Sequence, residues 1–310
     1  MNITTIIDTP TVRAFPQTSG PKPLAEGRDL ESVSRGPALD AFARTRPPAG
    51  RRGVFRCGIP LAGMILGLLG AVGTRAHFPI LIHDALLGAT NGMVTVTYAV
   101  GHPFELEVEP ASRPERMAIM DPQGRLTNVT TALQQTVFRS ETNAVAWQFR
   151  FEPSRGDSVI ALDSAAEVDE NAKTLYREYV KVFVHRAAQD GWANRTGQPL
   201  EVVPLTRPYG LKPAMAFSGR VMKGSAPVAN TEVYFERLNE RRPAPDRLPT
   251  EPLITFAVRT DDHGRFVLSF PEAGWWVVGA YVDDLGPVKH GGKEYRQEGF
   301  AGLWLKVESP

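Results

Sequence analysis

The alternation of apolar and polar residues, in one short segment after another, restricts most strongly what this chain can fold into. In the segment MVTVTYAV, Val94, Val96 and Tyr98 alternate with Thr95 and Thr97. A period of two residues is typical of a strand with one buried face. The same period recurs in FELEVEP, AVAWQFRFEP and REYVKVFVHR, and turn signals such as DPQGR and PSRGD follow or precede these segments. The sequence therefore predicts an all-β fold of antiparallel sandwiches.

The segment PLTRPYGLKP interrupts the alternation, which starts again a few residues later. It holds three prolines and one glycine, and a residue before proline avoids the helical region. We therefore predict two separable β-sandwich domains of the immunoglobulin-like or transthyretin-like kind, at 77–206 and 214–308, with a stiff connector at 207–213. Residues 161–176 are acidic and weakly patterned, and we interpret them as a loop that could hold a short helical turn.

Residues 51–76 have the pattern of an export signal. Three arginines precede an apolar run, and Thr74-Arg75-Ala76 ends it with small residues at the positions that signal peptidase accepts. We predict cleavage after Ala76 and a periplasmic or cell-envelope location. The alternative is an uncleaved membrane anchor, because the 17-residue apolar run is just long enough to span a bilayer. Residues 1–50 are predicted to be disordered or an over-extended start.

Composition excludes several functional classes. The 310-residue chain has a formal net charge of +1, but its basic excess lies in the first 76 residues and the rest of the chain is slightly acidic. Because this rest has no basic patch, we predict that nucleic acid is not a partner. The single cysteine, Cys57, lies in the signal segment, so the processed protein would have no disulfide and no thiolate site. No hydrolase, zinc-protease or phosphate-loop motif is present, and we predict that the protein is not an enzyme.

Several segments resemble a bacterial envelope family of unknown function, described as the periplasmic component of cobalt/nickel transport systems. The resemblance covers nearly all of 77–307, and its most specific parts are GHPFE and PLTRPYGL. It rests on AHFPILI, VTYAVGHPFE, YVKVFVHRAAQDGW, PLEVVPLTRPYGLKPAM and TDDHGRFVLSFPEAGWW. The second half is also similar to the regulatory β domain of carboxypeptidases, in GRVMKGSAPVANTEV followed by TDDHGRF. The resemblance implies Ni²⁺ or Co²⁺ as the ligand and a membrane metal-uptake permease as the partner.

His77 would be the first residue of the processed chain. There it offers two nitrogen donors, the α-amine and the imidazole. An α-amine has an ordinary pKa of about 8, so a metal ion can displace its proton at neutral pH. Nitrogen donors suit Ni²⁺ and Co²⁺, and Cu²⁺ or Zn²⁺ are further candidates. The alternative is that His77 is only a frayed terminal residue.

His102 follows a predicted strand and lies between Gly101 and Pro103. Proline keeps the preceding backbone extended, and the glycine indicates a kink that could aim the imidazole away from the sheet. We predict that His102 is a second metal ligand and that Glu105 is either a third ligand or an acceptor for the far nitrogen of His102. The alternative is a strand-end histidine that only hydrogen-bonds a nearby carbonyl.

The other four histidines are expected to have structural or surface positions. His83 would lie roughly 20 Å from the processed terminus, at about 3.3 Å per residue of strand, and we interpret it as part of a surface pair with Asp84. A packing or surface role is favoured for His185. Solvated turns are expected for His263 and His290.

These observations lead to one functional hypothesis and one rival. The first is an exported protein that binds nickel or cobalt and assists its uptake, with membrane contact only through its partner or an uncleaved N-terminal segment. The rival is an envelope interaction module without a metal, whose β-sandwiches bind a protein or a glycan.

Overall fold

Strands make up most of residues 77–138 and 144–310, which are the residues that the computed structural model describes. All of them fall within one compact unit, Leu68–Pro310. The all-β class and the antiparallel sandwich packing are confirmed. The signal peptide predicted at 51–76 and the segment 1–50 lie outside the described residues.

The strands that precede the predicted connector are β1 (Phe78–His83), β2 (Val94–His102), β3 (Glu107–Glu109), β4 (Arg116–Met120), β5 (Leu126–Asn128), β6 (Gln134–Val137), β7 (Val145–Phe151), β8 (Gly156–Asp163), β9 (Glu167–Asp169), β10 (Thr174–Arg186) and β11 (Leu200–Pro204).

The strands that follow it are β12 (Ala216–Lys223), β13 (Ala226–Pro227), β14 (Glu232–Leu238), β15 (Thr255–Arg259), β16 (Arg265–Ser269), β17 (Gly274–Val282), β18 (Pro287–His290) and β19 (Lys293–Val307). Three short 3₁₀ helices occur at Thr130–Ala132, Pro245–Arg247 and Glu251–Leu253.

A ten-stranded sheet lies between two smaller sheets. Its main path runs β15-β14-β17-β19-β10-β8-β4-β5, with β9 and β18 paired at its side. One smaller sheet holds β1, β2, β3, β6 and β7, and the other holds β11, β12, β13 and β16. Two hydrophobic cores, one on each face of the large sheet, join it to these two sheets.

Strand β10 illustrates why the large sheet is buried on both faces. Val180 and Val182 belong to the core shared with the five-stranded sheet, whereas Tyr179 and Phe183 belong to the core shared with the four-stranded sheet. Strand β19 alternates in the same way. Successive side chains of a strand point to opposite faces, so a strand between two cores is apolar on both.

The two predicted domain segments meet in the large sheet. Strand β10, from 77–206, pairs in parallel with β19, from 214–308, over nine residue pairs from Thr174↔Arg296 to Val182↔Trp304. Strand β11 also pairs with β12 across the predicted connector. That the two segments are separable stays a prediction, and the pairing of β10 with β19 argues against it, because separation would expose the paired edges of long apolar strands.

The segment 161–176 is mostly strand. The interpretation of 161–176 as a loop is wrong, since the segment contains the end of β8, all of β9 and the start of β10. The signal that was missed is the pairing of β9 with β10, which joins Glu167–Asp169 to Thr174–Tyr176.

Within 77–138 and 144–310, no helix is long and apolar enough to cross a membrane.

Candidate metal site and acidic cavity

The register of β1 on β2 brings His77 and His102 together. The two strands are antiparallel, with Phe78 opposite Gly101, so the next pair outward is His77 and His102. The two imidazole rings lie edge to face, with centroids 4.5 Å apart and planes at 84°. Facing residues in antiparallel strands are close enough for their side chains to interact. Both histidines predicted as ligands are therefore at one place.

The start of β1 is fixed by the residues that follow His77. Phe78 is buried and packs edge to face on Phe300 of the large sheet, with centroids 5.6 Å apart. The indole N–H of buried Trp304 donates to the Pro79 carbonyl at 2.7 Å. The backbone next to His77 is therefore held in the core, while the His77 side chain is 46% exposed.

Glu109 approaches the histidine pair from the other side of β2. It lies on β3, opposite Val100, and its Oε1 is 3.5 Å from Nε2 of His77. Both side chains are about half exposed. Sequence reasoning missed Glu109, although the alternation of FELEVEP places Glu105, Glu107 and Glu109 on one polar face.

Gly101 is needed where β3 folds back on β2. A Cβ atom at this position would lie 2.0 Å from the Glu107 carbonyl oxygen and 2.8 Å from the Cα of Val108. Its φ of +157° lies in a range that other residues rarely adopt. Only glycine lets β3 pair this closely beside His102, which agrees with the kink predicted there.

The turn after His102 is held by β14, which is more than 130 residues away in sequence. The Phe104 N–H donates to Oε1 of Glu236 at 3.0 Å, and Asn239 donates from its side chain to the Phe104 carbonyl at 2.5 Å. Oε2 of Glu236 accepts from the Thr255 hydroxyl at 2.6 Å. Burial raises the pKa of Glu236 to about 7. Neither Glu236 nor Asn239 carries a local sequence signal for this role.

Glu105 is not brought to the histidine pair. It lies in the turn near Glu236, and its negative charge helps to raise the pKa of Glu236. Among the described residues, no hydrogen bond joins Glu105 to His102. The carboxylate near the pair is that of Glu109, and Glu105 as a ligand stays a prediction without a supporting contact.

The side chains alone do not form a complete metal site. Within 77–138 and 144–310, no group of three His, Cys, Asp or Glu side chains is arranged to hold a metal ion. The His77–His102 pair supplies two nitrogen donors. A free α-amine on His77 would supply a third from the backbone, and such a donor set fits nickel, cobalt, copper or zinc.

An acidic cavity of about 310 Å³ begins beside this pair. His77 and Glu109 line it, together with Glu167 of β9 and Glu178 of β10. Glu178 is only 9% exposed. Burial, and then the charge of Glu167, raise the pKa of Glu178 to about 8 against the opposing effect of a hydrogen bond with Tyr176.

His83 is a half-buried structural residue, and its interpretation as half of a surface pair with Asp84 is wrong. Its Nε2 donates to the Phe183 carbonyl at 2.9 Å, and its Nδ1 accepts from the Ala85 N–H at 3.1 Å. Asp84 instead accepts from the Thr95 N–H at 2.8 Å. Burial lowers the pKa of His83 to about 4. Both ring nitrogens are occupied, so His83 cannot serve as a ligand here.

His185 also has a structural role, as sequence reasoning favoured. Its Nδ1 lies 2.6 Å from Oδ1 of buried Asp157, and its ring stacks on Tyr209 with centroids 4.2 Å apart. The Tyr209 hydroxyl donates to Oδ2 of Asp157 at 3.0 Å. His263 is exposed in a turn, as expected. His290 is also exposed, but it is the last residue of β18 and does not lie in a turn.

Comparison with known proteins identifies the family. Residues 74–284 match DUF4198, a domain of unknown function. The chain belongs to the DUF4198 family. This membership agrees with the expected family of unknown function, and it carries no statement about cobalt or nickel. No curated protein sequence matches the chain.

Solved structures resemble this DUF4198 protein only distantly. A DUF4785 family protein from Legionella pneumophila is 12% identical, with a TM-score of 0.26, and the match covers 73% of this chain and 56% of that one. A Salmonella alpha-2-macroglobulin is 11% identical, with a TM-score of 0.22, over 75% of this chain and 15% of that one. The D0-D1 domain of intimin is 16% identical, with a TM-score of 0.19, over 70% and 91%. The chain thus spans just over half of the first of these proteins and a small part of the second.

Proposed function

We propose that this DUF4198 protein is an exported protein that binds nickel or cobalt in the periplasm or cell envelope and assists its uptake. The observation that carries the proposal is the His77–His102 pair, with ring centroids 4.5 Å apart at the start of the first strand. The choice of nickel or cobalt comes from the sequence resemblance, and copper and zinc are the competing ions because they also bind nitrogen donors.

The third donor is the α-amine that cleavage after Ala76 would create on His77. The described side chains hold no set of three ligands, so two imidazoles alone would bind a metal weakly. The amine and the imidazole of one residue form a chelate, and the second imidazole comes from a strand fixed by backbone pairing. Removal of the signal segment would therefore switch on metal binding.

The surroundings of the pair favour a cation. Glu109 lies 3.5 Å from His77, and the exposed carboxylate of Glu167 lines the neighbouring cavity. Negative groups around a cleft raise the local concentration of cations and their rate of association. Half-exposed ligands leave positions open to water, which permits exchange of the metal to a membrane uptake permease.

Calorimetric titration with NiCl₂ near neutral pH tests the proposal, with a chain that starts at His77. We expect one site, and we expect His102→Ala to weaken binding more than tenfold, or about 1.4 kcal/mol, since it removes one of three nitrogens. His290→Ala is the matched control, because it removes an exposed histidine outside the pair. Equal affinity for His102→Ala and the wild type would contradict the site.

A second candidate is an envelope interaction module without a metal. A groove of about 510 Å³ favours it, since its lining combines apolar side chains, among them half-exposed Val137, with polar ones such as Arg237 and Gln148. Exposed apolar side chains bordered by polar residues are typical of a surface that binds a protein or another ligand. The absence of nickel binding in every form of the protein would favour this candidate.

A further inference from the structure

The acidic cavity beside His77 has the character of a ligand site in its own right. Its volume of about 310 Å³ is at the lower end of small-molecule pockets. Its walls come from four strands and their loops: Tyr98 from β2, Glu109 from β3, Glu167 from β9, and Tyr176 and Glu178 from β10. A space of this size is far larger than a single ion requires.

The carboxyl groups of the cavity have no cationic side chain beside them in its described walls. Three carboxylates line it, on Glu109, Glu167 and Glu178, and none of the described lining residues is Lys or Arg. Glu178 is 9% exposed, and ionising its carboxyl group there without a cationic partner is costly. A positively charged ligand would remove this cost.

The Tyr98 hydroxyl supplies an independent indication of a ligand. Tyr98 is 3% exposed and lines the cavity, and no described residue forms a hydrogen bond with its hydroxyl. Because Tyr98 lines the cavity, its hydroxyl is available to a ligand there as a hydrogen-bond donor or acceptor. The tyrosine rings of Tyr98 and Tyr176 could also attract a cation through their faces.

We propose that this cavity binds a small organic cation of the primary-ammonium class. The ammonium group would donate hydrogen bonds to Glu178 and to the Tyr98 hydroxyl, with Glu167 and Glu109 as further acceptors nearer the opening. A bare metal ion fits less well, because no set of three carboxylate or histidine ligands converges within the described residues. The amine site does not require metal at the His77–His102 pair.

The protonation of Glu178 gives the site a pH dependence. Burial, and then the charge of Glu167, raise the pKa of Glu178, whereas the Tyr176 hydrogen bond lowers it. The other groups that face the cavity are Tyr98, Glu109 and His77. Below about pH 8 an amine would have to displace a proton from Glu178, so binding should tighten as the pH rises through about 8.

Calorimetric titration of the full chain in EDTA tests the proposal, with 1,5-diaminopentane as the probe and 1,5-pentanediol as its uncharged match. We expect the diamine to bind and the diol not to bind. Glu178→Gln should weaken diamine binding at least tenfold at pH 8.5 and should abolish the pH dependence. Glu294→Gln is the control, since it removes an exposed carboxylate that does not line the cavity.

Glu167→Gln keeps the test informative if Glu178→Gln does not fold, because Glu167 is exposed and its substitution should still weaken binding severalfold. Equal binding of the diamine and the diol would overturn the proposal. Binding of Mg²⁺ without binding of the diamine would also overturn it, and would assign the cavity to a hydrated metal ion. Diamine affinity unchanged by both Glu substitutions would place any amine site elsewhere.

Discussion

The buried ion pair between Lys181 and Glu201 should be among the most sensitive points of the fold. Lys181 on β10 is 0% exposed and Glu201 on β11 is 1% exposed, and their Nζ and Oε1 atoms are 2.7 Å apart. Glu201 also accepts from the Thr196 N–H at 3.0 Å and from Nε of Arg195 at 3.2 Å. The pair thus joins the ten-stranded sheet to the four-stranded sheet.

Glu201→Ala would leave the Lys181 ammonium buried without its carboxylate. Removal of one member of a buried pair typically costs about 3–5 kcal/mol, because the remaining charge is uncompensated. Burial already lowers the pKa of Lys181, so the orphaned lysine would become neutral more readily, which limits the loss. We expect the free energy of unfolding to fall by about 3 kcal/mol.

Urea unfolding at pH 7, followed by tryptophan fluorescence, measures this loss. The matched control is Glu232→Ala, which breaks the surface pair with Arg259, where both side chains are about half exposed. An exposed pair contributes at most about 1 kcal/mol. The double substitution Lys181→Met with Glu201→Leu should recover part of the stability, because it leaves no buried charge, although the buried Thr196 N–H loses its acceptor. A loss below about 1 kcal/mol for Glu201→Ala would refute this account of the pair.

Three further predictions concern the site and the fold. Gly101→Ala should lower the unfolding free energy by about 1–3 kcal/mol and should also weaken nickel binding in calorimetry, because the added Cβ forces β3 away from β2. The control is Gly88→Ala, at a glycine that also has a positive φ but has open space around it. Equal losses of stability in the two variants would contradict the close contact at Gly101. Burial raises the pKa of Glu236 from 4.5 to about 7. Between these pH values the carboxyl group stays protonated in the folded protein but ionises in the unfolded chain. The unfolding free energy should therefore fall by up to about 3 kcal/mol from pH 4.5 to pH 7. Glu236→Gln should flatten this slope in urea unfolding at several pH values, and an unchanged slope would count against it. Segments 77–206 and 214–308 should aggregate when they are expressed separately, because β10 and β19 lose their pairing. Light scattering measures this aggregation, and two soluble, folded halves would show that the shared sheet is not required.

The strands themselves were largely predictable from the sequence, because their signal is local. The alternation in MVTVTYAV predicts β2, and that in REYVKVFVHR predicts most of β10. The joining of the two halves was not predictable. It depends on the parallel pairing of β10 with β19, between residues more than 100 positions apart, and no local period specifies such a partner.

In the candidate site, too, features that depend on local sequence were predictable and features that depend on distant residues were not. The strand-end position of His102 and the kink at Gly101 follow from local residue types, and they placed His102 correctly. Glu109 was missed because its approach to His77 depends on how β3 folds back on β2. Glu236 was missed because a buried carboxylate that holds a distant turn has no sequence pattern of its own.

The most direct test of the metal proposal compares two forms of the protein that differ only at the terminus. One starts at His77 and the other carries a single glycine before His77. Calorimetric titration with Ni²⁺ near neutral pH should give at least tenfold weaker binding, about 1.4 kcal/mol, for the extended form, because its extra peptide bond converts the His77 amine to an amide. Equal affinity of the two forms would remove the amine from the site and contradict the proposal that processing creates the metal-binding protein.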